Sequence, residues 1–356
     1  MSATVETVRA ALATVQDPDL KRDLVTLGMI EDLAVEGGVA RFTLVLTTAA
    51  CPLKAEIEAD CRRAVLAVPG VTEVQINTTS RTRKSASPTA DRKALDGVAQ
   101  VIAIGSGKGG VGKSTVSANL AVSLAASGAR VGLLDGDIYG PNLPRMMGVT
   151  RQPSQRDGKI VPVGAHGLRF MSMGLLVNAG EAVVWRGPML HGAIKSFLHD
   201  VDWGELDYLL VDLPPGTGDV QLSLIQQTFV AGAVVVTTPS TVAIEDAVKA
   251  IAMFDKLQVP VLGVIENMSY FMCPNCNERH DIFASGTGEQ RALAMGLPFL
   301  GSIPIDPRVR AGGDEGRPVV LTDPDTVHGR AFQSIAGQLA RRISIQSAAM
   351  AESAHA

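Results

Sequence analysis

Residues 101–115 read VIAIGSGKGGVGKST, an apolar run that meets a glycine-rich loop and ends on Lys-Ser-Thr. Within it, 107–114 satisfies G-x-x-x-x-G-K-[ST], the pattern of a loop that wraps phosphates. Its setting makes the match specific: 101–105 has the composition of a buried strand, and 115–126 has the length and residues of a helix. Glycines let backbone N–H groups turn inward onto phosphate oxygens, and the start of the following helix adds positive potential. Lys113 then reaches the β- and γ-phosphates of a nucleotide, and the Ser114 hydroxyl is placed to bind Mg2+. Gly107, Lys108, Gly109, Gly110, Val111, Gly112, Lys113, Ser114 and Thr115 are the expected nucleotide contacts.

Downstream, short apolar runs recur, each closed by a Gly or Pro turn and usually followed by a helix-length segment: ARVGLLDGD, YLLVDLPPG, GAVVVTTPS, VPVLGVIEN and LPFLGSIPI. Such alternation predicts an α/β fold, a doubly wound and mostly parallel sheet with helices on both faces. Upstream, 78–94 reads TTSRTRKSASPTADRKA, with no apolar period, and predicts a linker over 81–96. Before it, 5–15 and 53–68 have helical spacing, while 29–35, 40–45 and 71–76 alternate as strands. The expected organisation is a small α+β domain over 1–80, the phosphate-loop domain over 97–345, and a frayed tail over 346–356.

Two acidic strand ends complete the nucleotide chemistry. Residues 209–212 form an apolar run closed by Asp212, the pattern of an acid that holds Mg2+ through water. The loop PPGTGD over 214–219 follows directly and suits a switch that senses a γ-phosphate. Residues 133–137, LLDGD, end another strand on Asp135 and Asp137.

The chain has four cysteines, Cys51, Cys61, Cys273 and Cys276. Cys273 and Cys276 have metal-ligand spacing on one knuckle, but a four-thiolate site requires a second pair and the chain has no other C-x-x-C. One subunit therefore offers half a cluster site, and a two-fold axis would bring the same pair opposite itself. A Zn2+ held by Cys273, Cys276, His280 and Asp281 in one subunit, a redox pair, and plain packing are the alternatives. Cys51 precedes Pro52 at the expected start of a helix, where the positive helix end would favour a thiolate; Cys61 reads as core.

Across its 356 residues, 32 Lys and Arg stand against 36 Asp and Glu, for a net charge of -4, and the aromatics are 9 Phe, 3 Tyr and 2 Trp. That balance excludes general nucleic-acid coating and a stacking platform for single strands. The first residues break their apolar positions with Glu6, Arg9, Gln16 and Asp17, unlike a secretory signal, and the longest apolar run, near 231–236, is strand-sized. A cytoplasmic protein without structural disulfides is expected.

The loop GKGGVGKST, with its second lysine at Lys108, resembles the deviant Walker A ATPases, the group of the nitrogenase iron protein and the MinD and ParA proteins. The resemblance implies two subunits sandwiching two nucleotides, with Lys108 acting in trans. It further implies Asp135 near Mg2+, Asp137 orienting or polarising the attacking water, and Asn267 reading adenine. Over 98–341, the motifs GSGKGGVGKST, LLDGDIYGPNLPRMMG, WRGPML, WGELDYLLVDLPPGTGD and ENMSYFMCPNC, in that order, resemble the Mrp/ApbC family of P-loop iron-sulfur carriers. In the first domain, DPDLKRDLVTLGMI and LTTAACPLKAEIEAD resemble the small iron-sulfur assembly domain of the SufT and PaaD type, in which Cys51 matches the family cysteine.

These resemblances imply a homodimer that binds ATP and Mg2+, hydrolyses ATP slowly, and bridges a labile 4Fe-4S cluster through Cys273 and Cys276 of each subunit. Apo iron-sulfur proteins would be its recipients and a scaffold or donor protein its source, with no nucleic acid or membrane as partner. The chain departs from the family pattern at Asn277, where Gly usually follows the second cysteine; Asn tolerates the left-handed backbone such a knuckle needs. Two rivals remain: a MinD- or ParA-like spatial organiser using a helix over 327–343, with Phe332, Ile335, Leu339 and Ile343 on one face, and a metallochaperone for zinc or nickel.

Overall fold

The computed structural model describes residues 3–84, 94–138, 140–176, 187–283 and 286–355. Of the expected linker, 85–93 lie outside the described residues, as do Tyr139 and, in WRGPML, Trp185 and Arg186. Contacts divide the chain into two units, Met1–Arg83 with Ala340–Ala356, and Lys84–Leu339.

In the first unit, helix α1 (Val5–Leu12) is followed by strands β1 (Ile30–Glu36) and β2 (Val39–Leu46), helix α2 (Lys54–Leu66) and strand β3 (Glu73–Ser80). The order matches the helix-strand-strand-helix-strand reading. Gly37 and Gly38 both take positive φ, so the β1–β2 pair turns tightly and runs antiparallel, while β3 joins β2 in parallel. Val8 and Leu12 of α1, Ile57, Cys61 and Val65 of α2, and Phe42 and Leu44 of β2 close one core.

The second unit begins with β4 (Val98–Ser106), α3 (Lys113–Ala126), β5 (Val131–Asp135) and α4 (Leu143–Met146). A hairpin of β6 (Ser154–Arg156) and β7 (Lys159–Val161) precedes β8 (Val163–Ala165), β9 (Leu168–Ser172), α5 (Gly187–His199), β10 (Leu206–Asp212) and α6 (Asp219–Gln227). Then come β11 (Gly232–Thr237), α7 (Thr241–Lys256), β12 (Val261–Glu266), the short β13 (Phe271–Met272) and β14 (Arg279–His280), α8 (Thr287–Ala294), β15 (Phe299–Ser302), α9 (Pro307–Glu315), α10 (Val319–Thr322) and α11 (Val327–His355).

Among the described residues one eight-stranded sheet runs β15-β12-β11-β4-β10-β5-β9-β8, parallel except for β8 on the edge. The chain leaves β4 toward β5 and β9, returns to fill the gap with β10, and then builds out on the other side. It is therefore doubly wound, and a fold of this kind places its site at the carboxyl ends of the strands beside the reversal, here β4. All nine residues of β4 are buried, as a central parallel strand covered on both faces requires. Leu209 and Val211 of β10 and Val235 of β11 share one cluster with Phe197 of α5 and Phe254 of α7. Each such side chain contributes about 2 kcal/mol through burial. Strands β8 and β9, LRFMS and its neighbour, were not among the expected runs.

Two expectations about the carboxyl-terminal residues change. The tail 346–356 is helical as far as His355, continuing α11. Its Ala, Met and Glu residues favour helix, and extending an existing helix avoids the cost of nucleation. Phe332, Ile335, Leu339 and Ile343 are all buried, so the stripe is packed and does not form a free amphipathic surface. No helix among the described residues is long and apolar enough to cross a membrane.

In the first unit Arg341 Nε donates to Asp19 Oδ1 at 2.5 Å. The pair is mostly shielded, and losing a charge-assisted bond of this kind costs about 1.5 kcal/mol. Arg341→Ala is expected to speed amide exchange in α1 and β2 by about tenfold, with β4 and β10 amides unchanged, as measured by mass spectrometry.

Candidate functional site

The loop between β4 and α3 holds 107–112 of the expected nucleotide contacts, and 113–115 form the first turn of α3. Gly107 passes so close to α7 that a Cβ there would collide with the backbone of Asp246. Gly112 caps α3 with φ +80°, and a Cβ on it would strike the Asn267 amide. Both glycines are thus required by geometry as well as by loop curvature.

Lys113, in the first turn of α3, points its ammonium to Asp212 at the end of β10, with Nζ 2.7 Å from Oδ2. Ser114 Oγ donates to the same oxygen at 2.6 Å, and Ser117 Oγ donates to Oδ1. Asp212 is fully buried, and these three partners, all from α3, compensate its charge. The backbone also converges here, since Gly136 N donates to Asp212 O at 2.8 Å.

Asp135 sits at the same register as Asp212 on the neighbouring strand. It accepts from Ser172 Oγ at 2.9 Å and from Asp137 N at 3.1 Å. Burial, reinforced by the Asp212 charge, pushes the Asp135 carboxyl up to about 8. Asp137 Oδ1 in turn accepts from Gly140 N at 3.3 Å. Ser172 lies on β9, which is why sequence reading missed it; Ser117, one turn after Ser114, was legible in hindsight as the next residue on that helix face.

The switch-like loop 214–218 is held by Gln221, whose buried Nε2 donates to Pro214 O at 2.9 Å and Gly216 O at 3.0 Å. Lys108 is half-exposed, and its ammonium makes no hydrogen bond or ion pair among the described residues. Asn267, buried at the end of β12, donates from Nδ2 to Val111 O of the phosphate loop at 2.9 Å. From there a cleft of about 660 Å3 opens past Gly112 and Thr115, walled by Met268, Ile305 and Val309, with Asp306 also on its lining. That volume is within the range of small-ligand sites.

Cys273 and Cys276 stand apart from the phosphate loop on the tip of a hairpin formed by β13 and β14. Cys273 N donates to Glu278 O and Asn277 N to Cys273 O, each at 2.9 Å. Asn277 has φ +57°, the left-handed conformation that closes the knuckle. Cys276 is exposed and Cys273 half-buried. Backbone hydrogen bonds from Cys276 and Asn275, followed by the Cys276 side chain, hold the Cys273 thiol below its ordinary value. No group of three His, Cys, Asp or Glu side chains able to hold a metal occurs among the described residues. His280 and Asp281 thus do not complete a single-chain zinc site with the two thiols.

The family described as NUBPL iron-transfer P-loop NTPase matches residues 97–340. The chain belongs to that family. A second match, to an iron-sulfur cluster assembly protein family, covers 5–76. The chain is 55% identical over 338 residues to an iron-sulfur cluster carrier protein of Deinococcus radiodurans, covering 94% of this chain and 95% of that one. It is 40% identical to an iron-sulfur cluster carrier protein of Escherichia coli, with 95% and 91% covered. Among solved structures, a nucleotide-binding protein of Archaeoglobus fulgidus in complex with ADP shares 41% identity at a TM-score of 0.55, over 62% of this chain and 88% of that one. The family is one of P-loop NTPases, in agreement with the fold and the loop.

In the assembly-type unit, Cys51 departs from expectation. Helix α2 starts at Lys54 with Leu53 as its cap, so Cys51 lies outside the first turn and gains little from the helix end. Burial, followed by the charges of Asp17 and Asp19, pushes its thiol up against a backbone bond from Leu53. Cys61 is in the core, as expected, with its thiol pushed up to about 12.

Asp135 makes stability depend on pH. Folded, its carboxyl keeps its proton to about pH 8, whereas in the unfolded chain it loses it near pH 4. Its favourable contribution is complete below about pH 4 and is lost as pH rises toward 8, at up to about 1.4 kcal/mol per pH unit. Urea unfolding of the nucleotide-free chain at several pH values should show that slope, and Asp135→Asn should flatten it.

Proposed function

We propose that this chain is an ATP-hydrolysing carrier that holds a labile 4Fe-4S cluster between two copies of itself and passes it to apo-proteins. The observation that carries the reading is the exposed Cys273–Cys276 hairpin, with two thiols and no third metal-binding side chain beside it among the described residues. Four thiolates from two chains satisfy a cluster that two cannot. The cluster is cargo, and the Cys273 thiol held below its ordinary value favours the thiolate form that binds iron.

At the nucleotide, Lys113 leaves Asp212 for the β- and γ-phosphates. Mg2+ fits the vacated position because that pocket already stabilises a cation, the Lys113 ammonium 2.7 Å from Asp212 Oδ2, and because Ser114 and Asp212 supply hard oxygen donors. When bound, the ion neutralises charge on the phosphates. Ser114 and Asp212 hold it, Asp135 supports it from the next strand, and Asp137 orients the attacking water. Lys108, which extends from the loop without an internal partner among the described residues, reaches the nucleotide of the other subunit. Asn267 and the adjoining cleft receive the adenine. The iron-sulfur donor and the recipient apo-proteins contact the cysteine face, and the work is cytoplasmic.

Anaerobic reconstitution tests the carrier reading. The wild type should take up about four irons and four sulfides per two chains and run as a dimer in native mass spectrometry, while Cys273→Ala and Cys276→Ala stay colourless. A zinc-bearing monomer would overturn the reading in favour of a metallochaperone.

The trans role of Lys108 predicts subunit complementation. Lys108→Ala and Lys113→Ala should each lose ATP hydrolysis alone. Mixed in equal amounts they should regain about a quarter of wild-type turnover, because half the dimers are hybrids and each hybrid has one intact site. Lys113→Ala should also lower stability, since it leaves Asp212 buried without its cation.

A further inference from the structure

Phe271, the first residue of the cysteine hairpin, and Ile282, two residues past its last strand, both line the cleft that opens from Asn267, Gly112 and Thr115. We infer that the hairpin is itself one wall of the nucleotide-base subsite, so that a bound base, independently of phosphate chemistry, fixes the hairpin and screens Cys273 and Cys276. The inference rests on the proposed nucleotide site and adds to it the route by which nucleotide reaches the thiols.

Four observations carry it. First, the cleft begins at Gly112 and Thr115, where the phosphate loop enters α3, so a ligand whose phosphates occupy the loop extends its remaining part into this space. Second, its apolar walls, Phe271, Ile282, Met268, Ile305 and Val309, suit the faces of a planar heteroaromatic ring, while Asn267 and Asp306 suit its polar edge. The ligand class is a nucleotide with a purine base. Third, Ile282 is 55% exposed and its neighbour Phe283 53% exposed, apolar surface that a base entering the cleft would cover in part at Ile282.

Fourth, the hairpin is weakly held. Its ladder consists of two residue pairs, Phe271 with His280 and Met272 with Arg279, and so short a two-stranded unit is marginal in water. Among the described residues its backbone tether to the rest of the unit is the incoming run: Ser269 N donates to Ile303 O at 2.9 Å, Ile305 N to Tyr270 O at 2.7 Å, and Phe271 bridges Ile305. That run starts at Asn267, which is bonded to the phosphate loop. On the outgoing side Ile282 lines the cleft while still 55% exposed, so a base that fills the cleft adds packing there. Occupancy by a base therefore shifts the hairpin toward a single position.

The test uses the full-length reduced protein without a cluster, under anaerobic conditions, at a concentration where native mass spectrometry gives one oligomeric state throughout. Alkylation of Cys273 and Cys276 by a maleimide is followed by peptide mass spectrometry, with buried Cys61 as internal reference. Mg-ADP should slow both thiols by about threefold or more, whereas Mg-tripolyphosphate at saturation should leave them unchanged. Ile282→Ala, an exposed position that does not threaten folding, should still saturate with ADP yet lose at least half of the protection. Phe271→Ala should behave likewise, its fold checked by circular dichroism. ADP that binds by calorimetry without changing the thiol rates would overturn this inference alone. So would tripolyphosphate that protects as well as ADP, or full protection in Ile282→Ala. No ADP binding at all would overturn the nucleotide reading together with it.

Discussion

A carboxylate with no access to water organises this unit. Asp212 ends β10 fully buried, and an isolated charge there would be prohibitive. Lys113, Ser114 and Ser117 come to it from a single turn of α3, so the requirement fixes how that helix lies on the sheet. The glycine loop follows from the same constraint. With α3 drawn to β10, the chain from β4 must turn within a few residues, and it passes so close to α7 and Asn267 that side chains at Gly107 and Gly112 are excluded. A loop built in this way has its backbone N–H groups facing inward before any ligand arrives.

The run that leaves β12 passes from rigid to loose within a few residues. Glu266 is fully buried without a cationic partner; Ser269 Oγ donates to one of its oxygens and Gly288 N, in the first turn of α8, donates to the other at 2.6 Å. The amino-terminal end of a helix is a favourable place for a carboxylate, and this one ties α8 to the root of the run. Asn267 follows and is pinned to the phosphate loop, and Tyr270 and Phe271 still bond to Ile305, just past the end of β15. Beyond them the hairpin has a ladder of two residue pairs, and Arg279 stacks on Tyr270 at 4.1 Å from the ring centre. The inferred coupling of nucleotide to the thiols depends on this grading from an anchored base to a loosely held tip.

Much of this was legible because the relevant signals are local. The strand-loop-helix setting of 101–115, the apolar runs of β5, β10, β11, β12 and β15, and the element order of the first unit all follow from short periodicities and turn residues. So did the left-handed backbone at Asn277. What escaped depends on distant partners. Strand β9 is only five residues long, entered from β8 through the two-residue turn His166-Gly167, yet it delivers Ser172 to Asp135. The terminal helix lacks an apolar stripe over 346–355 and persists because it extends one already formed. The Cys51 thiol was misjudged because folding buries it and brings the charges of Asp17 and Asp19 to bear on it, neither of which the local sequence shows.

The electrostatics of the phosphate-loop pocket turn on two neighbouring carboxyls. Asp135 and Asp212 share a register on adjacent buried strand ends, so two carboxylate charges there repel at short range in a poorly solvated place. The chain resolves this by pairing Asp212 with Lys113 and leaving the proton on Asp135, so that the pocket carries little net charge. Phosphates alone would draw Lys113 away and strand Asp212; a divalent ion alone would face the ammonium. On the reading proposed above, a metal-nucleotide complex would let Lys113 turn to the phosphates while Ser114 and Asp212 would hold the ion. On that reading the buried pair would favour the metal-nucleotide complex over either component, and the preference would follow from desolvation before any contact with the ligand is counted.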